Sequence, residues 1–156
     1  MDSKGVSPMI ATIVLIAIVF AVAAILALSL ASSPTPSPPW GGQLTLENIQ
    51  SGRDVIVIWH RGGERANDVV ENSPSDNKFH WRNLELRVNG RTVPAENIVT
   101  FISDGRDAIG RGTGYYPLVA GDRMRVKLGT PLSKGDKVGL KWIPTNQIIL
   151  ELEVRE

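Results

Sequence analysis

Few residues in this chain are of a type that does chemistry. The two histidines, His60 and His80, each stand beside a tryptophan. A histidine pair is part of many metal sites, but no carboxylate follows at a spacing that would supply a third ligand. We therefore expect both histidines to lie at strand ends in polar turns.

Two short motifs look like ligand-binding loops. The sequence DGRD at 104–107 lacks the alternating frame of a calcium loop, so we expect a plain turn. The sequence GRGTG at 110–114 neither follows a clear strand nor opens a helix, which argues against a phosphate cradle. A flexible hairpin or an intersubunit contact loop is the favoured interpretation.

The aromatic residues are expected to serve packing more than binding. Trp59, Trp81 and Trp142 are predicted to lie in or near a core, with an exposed sugar-binding or surface-binding platform as the alternative. Tyr115 and Tyr116 form a candidate adhesive patch. No catalytic constellation is visible, so we expect a protein that is not an enzyme and holds no cofactor or metal.

Composition excludes several classes of protein. The chain has 156 residues and no cysteine, which removes disulfide scaffolds, thiolate zinc sites and cysteine nucleophiles. Lys and Arg number 17 against 16 Asp and Glu, and no basic excess or stripe is apparent, so we expect no nucleic-acid partner. The apolar residues make up 42% of the chain but are placed unevenly.

Residues 6–31 form one apolar segment, with 22 apolar residues among 26 and no charge. A helix of this length, about 39 Å, is long enough to cross a bilayer core of about 30 Å. It is apolar on all sides, so it must lie in lipid or be covered by neighbours. Alanines recur four residues apart, a spacing that permits close helix packing. These candidate packing residues are Ala17, Ala21, Ala23, Ala27 and Ala31.

Three roles fit this segment: a secretory signal, a permanent single-span anchor, or a pilin-type helix preceded by a cleaved leader. The stretch KGVSPMIAT at 4–12 closely resembles the N terminus of archaeal type IV pilins, with its class III signal peptide. The resemblance implies cleavage between Gly5 and Val6, with Lys4 as the basic leader residue. Ile10 stands where bacterial pilins carry a glutamate, so the bacterial docking argument does not transfer.

The resemblance also implies partners and a location. An archaeal prepilin peptidase would remove residues 1–5, and a pilus assembly ATPase with its membrane platform would assemble the mature chain. The chain would reside in the cell membrane as a precursor. It would then join copies of itself in a helical homopolymer, an extracellular surface filament.

Residues 32–42, SSPTPSPPWGG, are predicted to be a linker. Four prolines prevent a helix and favour an extended spacer. Its Ser and Thr residues are potential O-glycan sites, although an unmodified linker is favoured. Trp40 is predicted to pin the linker to the following domain or to a neighbouring subunit.

Residues 43–156 are predicted to be a β domain, here called the head. Short apolar runs with β-branched residues, separated by turn signals, predict strands over 43–50, 55–60, 84–88, 91–93, 98–103, 123–128, 137–143 and 147–155. Apolar and polar residues alternate clearly over 123–128 and 150–154. Asn89 and Gly90 predict a type I′ hairpin turn, and the polar residues 62–78 are expected to be loop. The fold class is therefore α+β: a long apolar helix followed by a mainly antiparallel, immunoglobulin-like β-sandwich.

The head motifs also resemble those of archaeal pilins. They are HRGG at 60–63, VNG at 88–90 and the Gly121–Asp122 pair. The sequence therefore supports two hypotheses about function. The first is the structural subunit of an archaeal type IV pilus-like filament that supports adhesion or cell-surface contact. The alternative is a single-span, membrane-anchored, extracytoplasmic binding module.

Overall fold

The computed structural model describes residues 8–31 and 40–156, with the side chains of 29–31 left out. These residues fall into two separate units, a helix and a β domain. The helix, α1, spans Pro8–Ala31. Pro8 occupies the first turn, where its missing N–H removes no helical hydrogen bond. The apolar helix predicted over residues 6–31 is therefore present throughout its described part.

The head is built from twelve strands. Their bounds are β1 Gly42–Glu47, β2 Val55–Gly63, β3 Ala66–Asn72, β4 Phe79–Trp81, β5 Leu84–Val88, β6 Arg91–Thr92, β7 Ile98–Ser103, β8 Arg106–Asp107, β9 Gly114–Leu118, β10 Arg123–Lys127, β11 Lys137–Trp142 and β12 Gln147–Glu153. A single 3₁₀ turn at Ala95–Asn97 precedes β7. The first strand begins at Gly42, the last residue of the predicted linker.

The strands form three antiparallel sheets. The first has the order β1-β2-β10-β7-β8, the second β12-β11-β5-β6, and the third β4-β3-β9. The predicted α+β class, with one apolar helix and an antiparallel β head, is confirmed. A third, smaller sheet accompanies the two larger ones.

One core serves the whole head. Alternate residues of β5 and β10 are buried, as expected for strands with one covered face. In β2 and β11 three consecutive residues are buried, 56–58 and 138–140. Phe101 is fully buried, and its ring meets those of Phe79 and Tyr116 edge to face at 6.1 Å between centroids. This arrangement is favourable for aromatic quadrupoles. The head therefore has its own apolar interior, made from its own residues.

The hairpin turn between β5 and β6 follows the prediction. Asn89 and Gly90 have φ values of 51° and 77°, so both residues adopt the left-handed backbone that a type I′ turn requires. Val88 and Arg91 pair on either side of them.

The loop expected over residues 62–78 is wrong, because β3 lies within it. Asp68 has a φ of 48°, and the pairing of β3 with β9 shifts register between Ala66 and Val70. This irregularity places Val69 and Val70 next to each other in the core, which breaks the alternation that marks a strand in sequence.

Candidate functional site

The surface of α1 is the first candidate site. Every side chain from Pro8 to Leu28 is exposed, and the large apolar residues are half exposed or more. Met9 is 75% exposed and Phe20 71% exposed. The helix is long and apolar enough to cross a membrane, and none of it is buried by the rest of the described chain. Such a surface is stable only in lipid or against other protein.

The one hydroxyl described on α1 is satisfied within the helix. Thr12 donates its Oγ1 hydrogen to the carbonyl oxygen of Pro8, at 2.6 Å. This bond removes a polar group that would otherwise need a partner in an apolar surrounding. The helix therefore presents an essentially nonpolar surface at this end as well.

The alanines of α1 form two rows. A residue in an α-helix turns about 100° from the preceding one, so residues four apart nearly align. Ala17 and Ala21 make one row, and the second row lies about 100° around the helix from it. The second row contains Ala23, Ala27 and Ala31, of which Ala31 is described by its backbone only. Two separate faces thus allow close approach of another helix.

The predicted cleavage residues Lys4, Gly5 and Val6 lie outside the described residues, as does the greater part of the proline-rich linker. Their assignment stays a prediction from the resemblance.

Trp40 packs against the head and holds the start of this domain in place. Its indole stacks on that of Trp142, with 5.1 Å between the ring centroids and 19° between the planes. The ring lies directly over Gly42, where an added Cβ would come within 1.8 Å of it. The Trp40 Nε1 donates to the carbonyl of Arg65 at 3.4 Å. The prediction that Trp40 pins this segment to the head is confirmed.

The two histidines have separate environments. The expectation that both lie at strand ends in polar turns is wrong, because His60 lies within β2 and His80 is the middle residue of β4. His60 is fully buried; its Nε2 lies 2.9 Å from the carbonyl oxygen of Glu64, and its Nδ1 has no partner. His80 is exposed and lies 2.9 Å from Asp76. Within the described ranges, no three His, Cys, Asp or Glu side chains are placed to hold a metal together.

The acidic turn at 104–107 is organised by a residue outside it. The buried carboxylate of Asp122 accepts hydrogen bonds from the backbone N–H groups of Asp104, Gly105 and Val119, at 2.7 to 2.9 Å. Only 2% of Asp122 is exposed. The sequence placed Asp122 in a turn and did not indicate this role, because its partners lie up to 18 residues away.

The glycine-rich segment 110–114 is tied to the third sheet through one carbonyl. The oxygen of Gly112 accepts hydrogen bonds from Asn72 Nδ2 and from the Tyr116 hydroxyl, each at 2.7 Å. Tyr116 is therefore a buried packing residue, and only Tyr115, which is 54% exposed, remains available as a surface contact.

The tryptophans differ in their surroundings. Trp142 is buried, as predicted. Trp81 is half-buried and donates its Nε1 hydrogen to the carbonyl oxygen of Val93 at 2.6 Å. Trp59 lies on the outer side of the first sheet, where the Cζ atoms of Arg61 and Arg123 are 3.1 and 3.9 Å from its ring centroid.

Trp59 belongs to a basic surface that we call the cationic face. It consists of the outward side chains Trp59, Arg61, Arg123, Arg125 and Lys127 on β2 and β10. The expectation that no basic stripe exists is wrong. The signal was present in the alternation of Arg and Lys along β10, which places three cations on the same side of the strand.

Comparison with protein-family models and with curated protein sequences finds no match to this chain.

Proposed function

We propose that this chain is the structural subunit of an archaeal type IV pilus-like surface filament. The observation that carries the proposal is α1, a helix whose every described side chain is exposed, joined to a head that has a complete core of its own. A resemblance to archaeal pilins in residues 4–12 gives this helix a specific role. The precursor resides in the cell membrane, and the mature chain resides in the filament.

The energetics of α1 support assembly. Burying one methylene group contributes about 0.8 kcal/mol, so thirteen large apolar side chains cannot remain in water. Lipid solvates them in the precursor. After extraction from the membrane, α1 of other copies offers an apolar surface of matching kind. Extraction and helix packing are therefore coupled.

The alanine rows support a core with several helices. A single pair of helices needs one face of small residues, whereas α1 has two faces about 100° apart. Ala21 belongs to one and Ala27 to the other. Each helix can therefore approach two neighbours closely, as a helical homopolymer requires.

The partners follow from the resemblance. An archaeal prepilin peptidase cleaves between Gly5 and Val6, and an assembly ATPase with its membrane platform drives extraction. The protein has no catalytic role and binds no cofactor in this proposal. The head lies at the filament surface and supports adhesion or cell-surface contact.

N-terminal sequencing of filaments sheared from cells tests the proposal. We expect the mature chain to begin at Val6. A chain that begins at Met1 retains its leader, and one that begins at Ser32 has lost α1 as a secretory signal. Either result contradicts the proposal.

The alternative is a membrane-anchored binding module, which the length of α1 favours. A helix of 24 residues is about 36 Å long and crosses the bilayer without any assembly. Gly5→Leu separates the two functions. It blocks maturation and filament formation in a pilin but leaves an anchored module in place and active. Ser3→Ala, which preserves the Lys4–Gly5 junction, is the matched control and should mature normally.

A further inference from the structure

The cationic face contains charges that the head itself does not neutralise. Arg123, Arg125 and Lys127 are exposed on β10, the middle strand of the five-stranded sheet. Their cross-strand partners on β2 are Trp59, Val57 and Val55, all uncharged. Arg125 also pairs with Thr100 on β7. Three like charges thus stand in a row with no acid beside them on the adjacent strands.

The second sheet, which contains β11, places acids directly across from its lysines. On β11, Lys137 lies opposite Glu153 and Lys141 lies opposite Glu85. Opposite charges at directly facing positions stabilise a sheet, and like charges in proximity destabilise it. The sequence therefore places acids opposite the lysines of β11 and places none opposite the three cations of β10. Among the described residues, the ion pairs include none of Arg123, Arg125 and Lys127. They do not include Lys137 or Lys141 either, so the difference between the two sheets lies in which residues face each other across the strands.

Two of the guanidinium groups are held in place. Arg61 donates to Glu47 at 2.9 Å, and its Cζ lies 3.1 Å from the Trp59 ring centroid. The Cζ of Arg123 lies 3.9 Å from the same ring. Cation–π contact reduces the entropy that these side chains lose when they bind an anion. Arginine then offers a planar pair of donors that fits carboxylate and sulfate groups.

We propose that the cationic face is a binding site for an acidic polysaccharide, a linear chain bearing carboxylate or sulfate groups. Alternate residues of a strand are about 6.7 Å apart, so Arg123, Arg125 and Lys127 form a straight row of cations along β10. A linear polyanion lying along this strand meets all three. The inference concerns the head and holds whether the chain is a filament subunit or an anchored module.

The structure favours a saccharide over a nucleic acid. Single-stranded nucleic acids stack their bases on open aromatic rings, but Trp59 is engaged by two arginines. Duplex DNA is bound through a larger basic excess than the net charge of +1 on this chain. The face is also one side of a five-stranded sheet, whereas proteins enter the major groove of DNA with a helix or a two-stranded ribbon.

The test uses the full chain in a nonionic detergent, with fragments of polygalacturonate and dextran sulfate as probes and uncharged dextran as the blank. We expect both anionic probes to bind, with affinity that falls as salt is raised. The variant Arg125→Gln/Lys127→Gln leaves the Trp59 contacts in place and should weaken binding about tenfold. Circular dichroism verifies its fold, and Arg125→Lys, which retains the charge but loses the planar donor pair, should bind more tightly than the double variant and less tightly than the parent.

A matched double variant tests whether binding of the anionic probes depends on the position of the removed cations or only on their number. Lys137→Gln/Lys141→Gln removes the same charge from the second sheet and should leave binding nearly unchanged. Equal weakening by both double variants would mean attraction to net charge alone and would overturn the site. Tighter binding to a DNA oligonucleotide or to vesicles of anionic lipid, with the same sensitivity to Arg125→Gln/Lys127→Gln, would replace the saccharide with that partner.

Discussion

The helix and the head use the same kinds of residue for opposite purposes. Phe20 in α1 is 71% exposed, whereas Phe101 in the head is fully buried. Ile16 is 52% exposed, whereas Ile58 is fully buried. The apolar residues of the head therefore specify how one chain folds. Those of α1 are not buried by any of the described residues of the same chain.

The two regions also differ in pattern. β10 alternates exposed and buried residues and so has one face for the core and one for solvent. α1 has no polar face at all and carries no ionisable side chain. A helix without a polar side can contact lipid or neighbouring helices on every side. We therefore expect substitutions in α1 to affect assembly and substitutions in the head to affect stability.

The largest effect is expected from a charge placed in α1. Ala21→Lys introduces an ammonium group that costs about 3 kcal/mol near the middle of an apolar layer. We expect it to abolish filaments, as measured by electron microscopy of sheared material. All four tryptophans lie in residues 40–156, so their fluorescence reports the stability of the head alone, which should not change.

An uncharged variant separates packing from insertion. Ala21→Leu fills the small-residue row without adding charge, so it should remain in the membrane fraction but yield fewer filaments. Ala21→Ser retains a small side chain and serves as the control. Normal filaments from Ala21→Lys would show that α1 does not form the filament core, and the comparison between helix and head would fail.

Much of the fold can be predicted from local pattern. The strand expected over 98–103 is β7, and the strand expected over 84–88 is β5, with the same bounds. The segment 84–88 alternates apolar and polar residues, whereas 98–103 is a short apolar run rich in β-branched residues. β3 was missed because Asp68 has a positive φ and its buried residues are adjacent in sequence. The alternation of apolar and polar residues detects regular strands. It fails where a local irregularity shifts that alternation by one residue.

The candidate sites divide in the same way. The alanine rows of α1 are visible in the sequence because helix geometry alone relates residues four apart. The stack of Trp40 on Trp142 and the bonds to Asp122 join distant residues, which no local pattern encodes. The cationic face can be predicted from the sequence only in part. Its row on β10 is local, but its lack of neighbouring acids depends on which strands pair.

A smaller effect, confined to the head, is expected at Asp122. Asp122→Ala leaves three backbone N–H groups without their acceptor, two of them in the turn after β7. Hydrogen bonds to a charged group contribute about 1.5–3 kcal/mol, so we expect the free energy of unfolding to fall by about 3 kcal/mol. Denaturant titration followed by tryptophan fluorescence measures this change.

The control for Asp122 is Asp122→Asn, which retains one acceptor oxygen and should be intermediate in stability. At temperatures where the head stays folded, Asp122→Ala should still assemble, because α1 is unaltered. Loss of filaments from a folded Asp122→Ala head would show that assembly depends on the head surface as well as on α1.

The smallest effect is expected at Asp136 and depends on pH. Its carboxylate accepts hydrogen bonds from the Asn89 side chain at 2.9 Å and from the Ser133 backbone at 2.8 Å, and these bonds lower its pKa below 3.8. Since the folded pKa lies below the unfolded one, the stabilisation is complete above the unfolded pKa and is lost as pH falls through the folded pKa.

The unfolding midpoints of the parent chain and Asp136→Asn should therefore differ by a constant amount near neutral pH. The difference should begin to shrink as pH falls below the ordinary aspartate pKa of about 4, and it should vanish only after pH has passed the lower folded pKa, where the folded carboxylate takes up its proton. A difference that persists unchanged into stronger acid would mean that the charged carboxylate contributes nothing. Because α1 has no group that titrates, acid acts on the head alone, and the packing of helices should not change over the same pH range.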